Sequence, residues 1–244
     1  MRRRQALHGV LALALPLAGC AGDPPSANGT ATATDAPNQV GDTVPVEGVG
    51  DVTVTAITVQ RAVTSTYLGL TVYEPEDGQV IVVETDEVLS VSESVPFVPR
   101  LDGERVDSPR DIDIVGYQPA GAVAVPVREA ERAAVVLNSG SEPAWALPDE
   151  QVERLGAAPA FTFERATFDH EASELTLTVE NSGDRDGTFR GGVDFGDDYA
   201  IPIEFPVAVG ETRTESVDLS PPWDPSRDRE FDVTAGTRVL QFDQ

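Results

Sequence analysis

Between residues 43 and 147 the apolar positions fall into short runs rich in Val, Ile, Thr and Tyr, separated by Gly, Pro and Asp clusters. That is the spacing of strands. Residues 51–59, 67–73 and 79–84 are expected to be strands, and Val80-Ile81-Val82-Val83, with no polar interruption, is expected to be buried on both faces. Residues 95–101 and 104–107 flank Asp102-Gly103, a pair that tolerates the positive φ angles of a tight primed turn, so they predict a hairpin. Residues 122–127, with Val123, Val125 and Val127 on one face, and residues 133–138 add two more strands. No helical period is sustained over this segment.

A short helix is expected over Asp149–Leu155, introduced by Pro148 and stopped by Gly156, with Val152 and Leu155 on one face. Gly156-Ala157-Ala158-Pro159 then breaks the chain, so the helix reads as a spacer between two modules. The second module, residues 160–244, alternates more regularly. Leu175, Leu177 and Val179 face one way and Thr176, Thr178 and Glu180 the other; after a turn over 181–187, Phe189, Gly191, Val193 and Phe195 repeat the pattern. Ile201, Ile203, Phe205 and Val207 form a further apolar face opposite Pro202 and Pro206, and a strand that carries proline belongs at a sheet edge. Phe161 with Phe163, Val217 with Leu219, Phe231 with Val233, and Leu240 with Phe242 bring the module to about seven strands, the number of an immunoglobulin-like sandwich. The expected fold is therefore all-β, two immunoglobulin-like β-sandwich domains in tandem (43–147 and 160–244) with a short helix and linker (148–159) between them.

The run from Leu175 to Phe189, a strand ending in Val-Glu-Asn-Ser-Gly-Asp before an Asp-Gly and an aromatic strand, resembles the cell-adhesion-related domain of bacterial and archaeal surface proteins. The Gly210-Glu211 turn before a Thr-rich strand fits the same pattern. Residues 121–126 and 133–137 resemble the immunoglobulin-like domain of unknown function found in prokaryotic lipoproteins. Both resemblances imply a binding or scaffolding module, and neither brings catalytic residues.

The first twenty residues follow a different logic. Arg2, Arg3 and Arg4 form a positive n-region, residues 6–17 are apolar apart from His8 and Gly9, and Leu17-Ala18-Gly19-Cys20 ends the run in small residues before a cysteine. This resembles the lipobox of secreted lipoproteins, which implies removal of residues 1–19 and a lipid on Cys20. Arg3 and Arg4 followed by Gln5, Ala6 and Leu7 also resemble a twin-arginine export signal, with Ala6 where a large apolar residue is usual. The apolar run is shorter than the roughly 20 residues a membrane span needs. Residues 20–42, rich in Ala, Thr, Pro, Asn and Gly, read as a flexible tether outside any core. Asn28-Gly29-Thr30 within it is a glycosylation acceptor on a tether that would lie outside the cell, against the plainer reading of chance. The expected location is the extracellular face of the cell membrane, reached through the lipid anchor.

Charge narrows the function classes. The 244 residues carry 42 Asp and Glu against 17 basic side chains, all of them Arg, for a formal charge of −25. This balance resembles proteins of salt-loving archaea, where concentrated salt shortens the Debye length to about 3 Å and suppresses repulsion between surface carboxylates. It argues against nucleic acid as a partner, because phosphates call for a basic surface. Past the signal His170 is the sole histidine and Cys20 the sole thiol, which excludes a histidine-based zinc site, a Ser-His-Asp set and a Cys-His pair within one chain. His170 itself reads as a turn residue.

Asp184, Asp186, Asp194, Asp197 and Asp198 occupy two neighbouring turns and are the candidate ligands for Ca2+, against the plainer reading of solvated turn carboxylates. No other cofactor is implied. Tyr73, Tyr199 and Trp223 are the candidate aromatic anchors for a protein or glycan partner; Trp145 and Trp223 could equally fill the junction of the modules. Two functions follow: a membrane-anchored, non-catalytic surface binding or scaffolding module, or a ligand-capturing accessory subunit of a transporter or respiratory complex. An exposed aromatic patch favours the first and a pocket with convergent polar groups the second.

Overall fold

The computed structural model describes residues 36–65, 70–86, 97–107, 111–112, 120–195, 200–220, 231–235 and 238–242. They form antiparallel sheets and one short helix, an all-β sandwich architecture as the alternation predicts.

The first half runs β1 (Thr43–Val46), β2 (Gly50–Gln60), β3 (Val63–Ser65), β4 (Thr71–Tyr73), β5 (Gly78–Thr85) and β6 (Phe97–Leu101). It continues with β7 (Glu104–Arg105), β8 (Asp111–Ile112), β9 (Ala120–Pro126), β10 (Ala133–Leu137), β11 (Ala144–Ala146) and α1 (Asp149–Leu155). One sheet has the order β1-β2-β5-β9-β8, another β11-β10-β6-β7, and β3 pairs with β4 alone. Apolar side chains of both large sheets share one core, among them Val54, Ile81, Val83, Leu101 and Val135. Trp145 is at its centre with no exposed surface, its ring edge-on to Phe97 at 6.4 Å. It therefore fills this core and not the junction of the modules.

Strict alternation would put Val54 and Ile57 on opposite faces of β2, yet both are buried in the same core. A register shift between Val54 and Ala56 inserts one residue and resets the phase. In β5 both faces are buried as expected: Ile81 and Val83 enter the main core, while Val80 and Val82 join Val63, Ala122 and Ala124 in a smaller cluster on the far face of the sheet. Of the strand expected over 67–73, residues 67–69 lie outside the described residues and Thr71–Tyr73 is strand, paired with Val63–Ser65, a strand of three residues too short to show a period. Asp102 and Gly103 have φ of 54° and 86°, the primed-turn geometry expected between β6 and β7.

Two boundaries shift from the sequence reading. Asn38 extends the β11 edge, its N–H donating to Ala144 O and its carbonyl accepting from Ala146 N at 2.8 Å each, and Val40 packs on the core. Folded structure thus reaches back into the expected tether. The helix forms where Pro148 and Gly156 predict, but Val152 and Leu155 are buried in the first core, so α1 closes that core instead of acting as a spacer.

The second half runs β12 (Phe161–Asp169), β13 (Glu174–Asn181), β14 (Gly187–Asp194), β15 (Ala200–Val207), β16 (Thr212–Asp218), β17 (Phe231–Ala235) and β18 (Arg238–Phe242). A β12-β13-β16 sheet faces a β15-β14-β17-β18 sheet across a second core that includes Leu175, Leu177, Val179, Phe189, Val193 and Phe205. β15, with exposed Pro202 and Pro206, is an edge strand as expected. The 181–187 turn does not make a hairpin: β13 and β14 lie in different sheets, so it carries the chain from one layer to the other. Asn181, with no exposed surface, holds this crossing. Its Oδ1 accepts from Ala160 N and Gly183 N at 3.1 Å, and its Nδ2 donates to Arg185 O at 2.8 Å and Val207 O at 3.0 Å. Those four bonds use the whole capacity of the amide.

The two cores belong to one compact unit, Ala36–Gln244. Leu70, just before β4, packs on Gly192 of β14 and donates its N–H to Asp194 Oδ2 at 3.2 Å. The linker is bound as well, with Asp184 N donating to Ala158 O at 3.3 Å.

Candidate functional site

The junction of the two cores contains a cleft of about 360 Å³. Its walls are the end of β2, the last turn of α1, Pro159 of the linker, the Arg185–Thr188 stretch and parts of β14 and β15. Arg61, Arg154, Arg185 and Arg190 all line it, with Asp186 the one acidic residue among the lining. In a chain with 42 acids and 17 arginines that inversion cannot be read as the average of the surface.

Each wall has an identifiable cause. Two buried glutamines fasten α1 to the first core: Gln151 Oε1 accepts from Val59 N at 2.8 Å, and Gln79 Nε2 donates to Arg154 O at 2.9 Å and Leu155 O at 3.2 Å. Gln79 thereby satisfies carbonyls that a helix end leaves open. Arg154 sits in the last turn, where a cation also suits the helix dipole. From the second core, Arg185 Nη1 donates to Glu153 O at 2.9 Å. That bond brings the Arg185 guanidinium to the peptide that immediately precedes Arg154.

The four guanidiniums differ in their partners. Arg61 Nε meets Glu74 Oε1 at 2.8 Å, with both side chains about 15% exposed, and its other nitrogens donate to the carbonyls of Gly78 and Glu76. Those contacts strap the base of the β3–β4 hairpin. Arg190 Nε meets Glu204 Oε1 at 3.0 Å across a β14–β15 pair. Arg154 and Arg185 have no carboxylate oxygen within 4 Å among the described residues. Asp186 Oδ1 accepts from Val209 N at 2.8 Å.

The residues singled out in the sequence are dispersed. Cys20, Arg3, Arg4, Leu17, Ala18, Gly19 and Asn28 lie outside the described residues, as do Asp197, Asp198, Tyr199 and Trp223. Asp186 and Asp194 each accept a backbone N–H, from Val209 and Leu70, and among the described residues no three His, Cys, Asp or Glu gather as metal ligands. Asp184 anchors the linker through its own N–H, which donates to Ala158 O at 3.3 Å. Tyr73 is half-buried against the small cluster over β5 and β9, which withdraws part of the ring from any partner. His170 is exposed in the β12–β13 turn beside the Phe168 ring at 4.8 Å. The large hydrophobics exposed among the described residues are Val127 and Val209, neither aromatic.

Sequence reasoning missed the arginine cleft. Positions 61, 154, 185 and 190 share no spacing, and only the docking of α1 and the 181–187 crossing brings them together. No protein-family profile matches the chain, and none of the curated proteins does.

Proposed function

We propose that this protein is an exported lipoprotein, anchored by a lipid on Cys20 to the outer face of the cell membrane, that works as a non-catalytic binding module. The observation that carries this reading is the run of Arg2-Arg3-Arg4, an apolar stretch and Leu17-Ala18-Gly19-Cys20 ahead of an all-β body. Among the described residues no helix is long and apolar enough to cross a membrane. Losing residues 1–19 removes three arginines and no acid, leaving a more anionic body that anionic headgroups repel overall.

Between the two modes of binding, the cleft favours capture of a small ligand, as in an accessory subunit of a transporter or respiratory complex. Of the candidate aromatic anchors for scaffolding, Tyr199 and Trp223 lie outside the described residues and Tyr73 is half-buried. Replacing Cys20 by Ser tests the anchor: fractionation should find the wild type with the membrane and Cys20→Ser in the medium. Equal membrane retention of both would refute it.

A further inference from the structure

We propose that the cleft between the cores is a binding site for a small solute bearing a carboxylate or phosphate group, gripped by Arg154 and Arg185. This assignment rests on the binding-module reading and adds the chemistry of the ligand. Arg61 and Arg190 already face Glu74 and Glu204, which makes them walls of the site. Arg154 and Arg185 stand apart from them: both line the cleft, Arg185 Nη1 donates to the carbonyl of Glu153, the residue before Arg154, and neither has a carboxylate within 4 Å among the described residues. One of the five N–H donors of Arg185 is used on Glu153 O; the rest of that planar fork suits the paired oxygens of a carboxylate or phosphate.

Asp186 is the one acid in the lining; its Oδ1 accepts from the Val209 amide, and its single negative charge is outnumbered by the two positive charges of Arg154 and Arg185. The surrounding surface is strongly acidic, so a cationic cleft there is a local well for anions that the rest of the molecule repels. A volume of about 360 Å³ is the size of a small-molecule site, which sets the ligand as a metabolite-sized solute and not an acidic polymer.

The test titrates the full mature chain calorimetrically with sodium phosphate and, separately, with sodium citrate, at one fixed salt concentration at which circular dichroism shows it folded. The same titrations are run on Arg154→Gln/Arg185→Gln and on Arg154→Lys/Arg185→Lys. Saturable binding of at least one probe is expected, weakened about a hundredfold in the glutamine variant, which loses two charge-assisted grips of about tenfold each. The lysine variant should fall between the wild type and the glutamine variant, because charge without the fork keeps part of the grip. A response to phosphate alone or to citrate alone identifies the group recognised. No saturable heat from either probe, or unchanged affinity in a folded glutamine variant, overturns the assignment. The underlying reading is scored separately by native mass spectrometry of protein extracted from its own membranes. A neutral molecule kept by the wild type and lost from the glutamine variant would preserve the cleft as a binding site while refuting its preference for anions.

Discussion

Leu70 and Gly192 meet across the two cores in a contact that leaves no room for a side chain on the glycine. A Cβ built on Gly192 would stand 2.5 Å from Leu70 Cδ2 and 2.7 Å from Ile201 O. The leucine tip can move but the carbonyl belongs to β15, paired to β14 at this point, so the strain cannot be relieved on one side alone. Gly192→Ala should therefore lower stability by about 1–3 kcal/mol, as overpacking does. Leu70→Ala in the same chain should restore part of the loss. Denaturant melts of the two single variants and the double variant measure the coupling; additive losses would show that Leu70 and Gly192 do not share this space.

Asn181 makes a second, sharper prediction. Its amide satisfies two N–H groups and two carbonyls where the chain crosses from one sheet to the other, and it has no exposed surface. Asn181→Ala leaves those four groups without the partner the amide supplied, and stability should fall by about 3 kcal/mol or more. Because the amide also holds the backbone of Arg185, which lines the cleft, the variant should also lose affinity for any ligand bound there. A loss below about 1 kcal/mol, the size of an ordinary surface change, would contradict the role given to this amide.

Salt dependence tests the reading of the acidic surface. With a formal charge of −25 from 42 acids against 17 arginines, the folded chain in dilute buffer should be destabilised by its own repulsion. The midpoint of thermal unfolding should climb steeply as sodium chloride is raised from dilute to saturated. A midpoint indifferent to salt would remove the link to a saline environment.

Much of the fold was legible because burial on one face leaves a period-two signature, as in Leu175, Leu177 and Val179, and burial on both leaves an unbroken run, as in Val80 to Val83. Turn chemistry was equally local: Asp102-Gly103 announces its hairpin, and Pro148 with Gly156 brackets the helix. Pairing partners were not legible. The 181–187 turn looks like a hairpin loop from composition, since nothing in Asn-Ser-Gly-Asp says whether the next strand joins the same sheet or the opposite one. The cleft was hidden for the same reason. Arg61 and Arg185 are more than a hundred residues apart, and their approach depends on two buried glutamines and an asparagine that a pattern of apolar positions treats as solvent-facing.

The whole account depends on how the chain is held at the cell surface, and intact-mass spectrometry of the protein extracted from membranes addresses that directly. The expected species begins at Cys20, lacks residues 1–19 and carries added mass equal to acyl chains on the cysteine. A chain that still begins at Met1, with an unmodified Cys20, would contradict it.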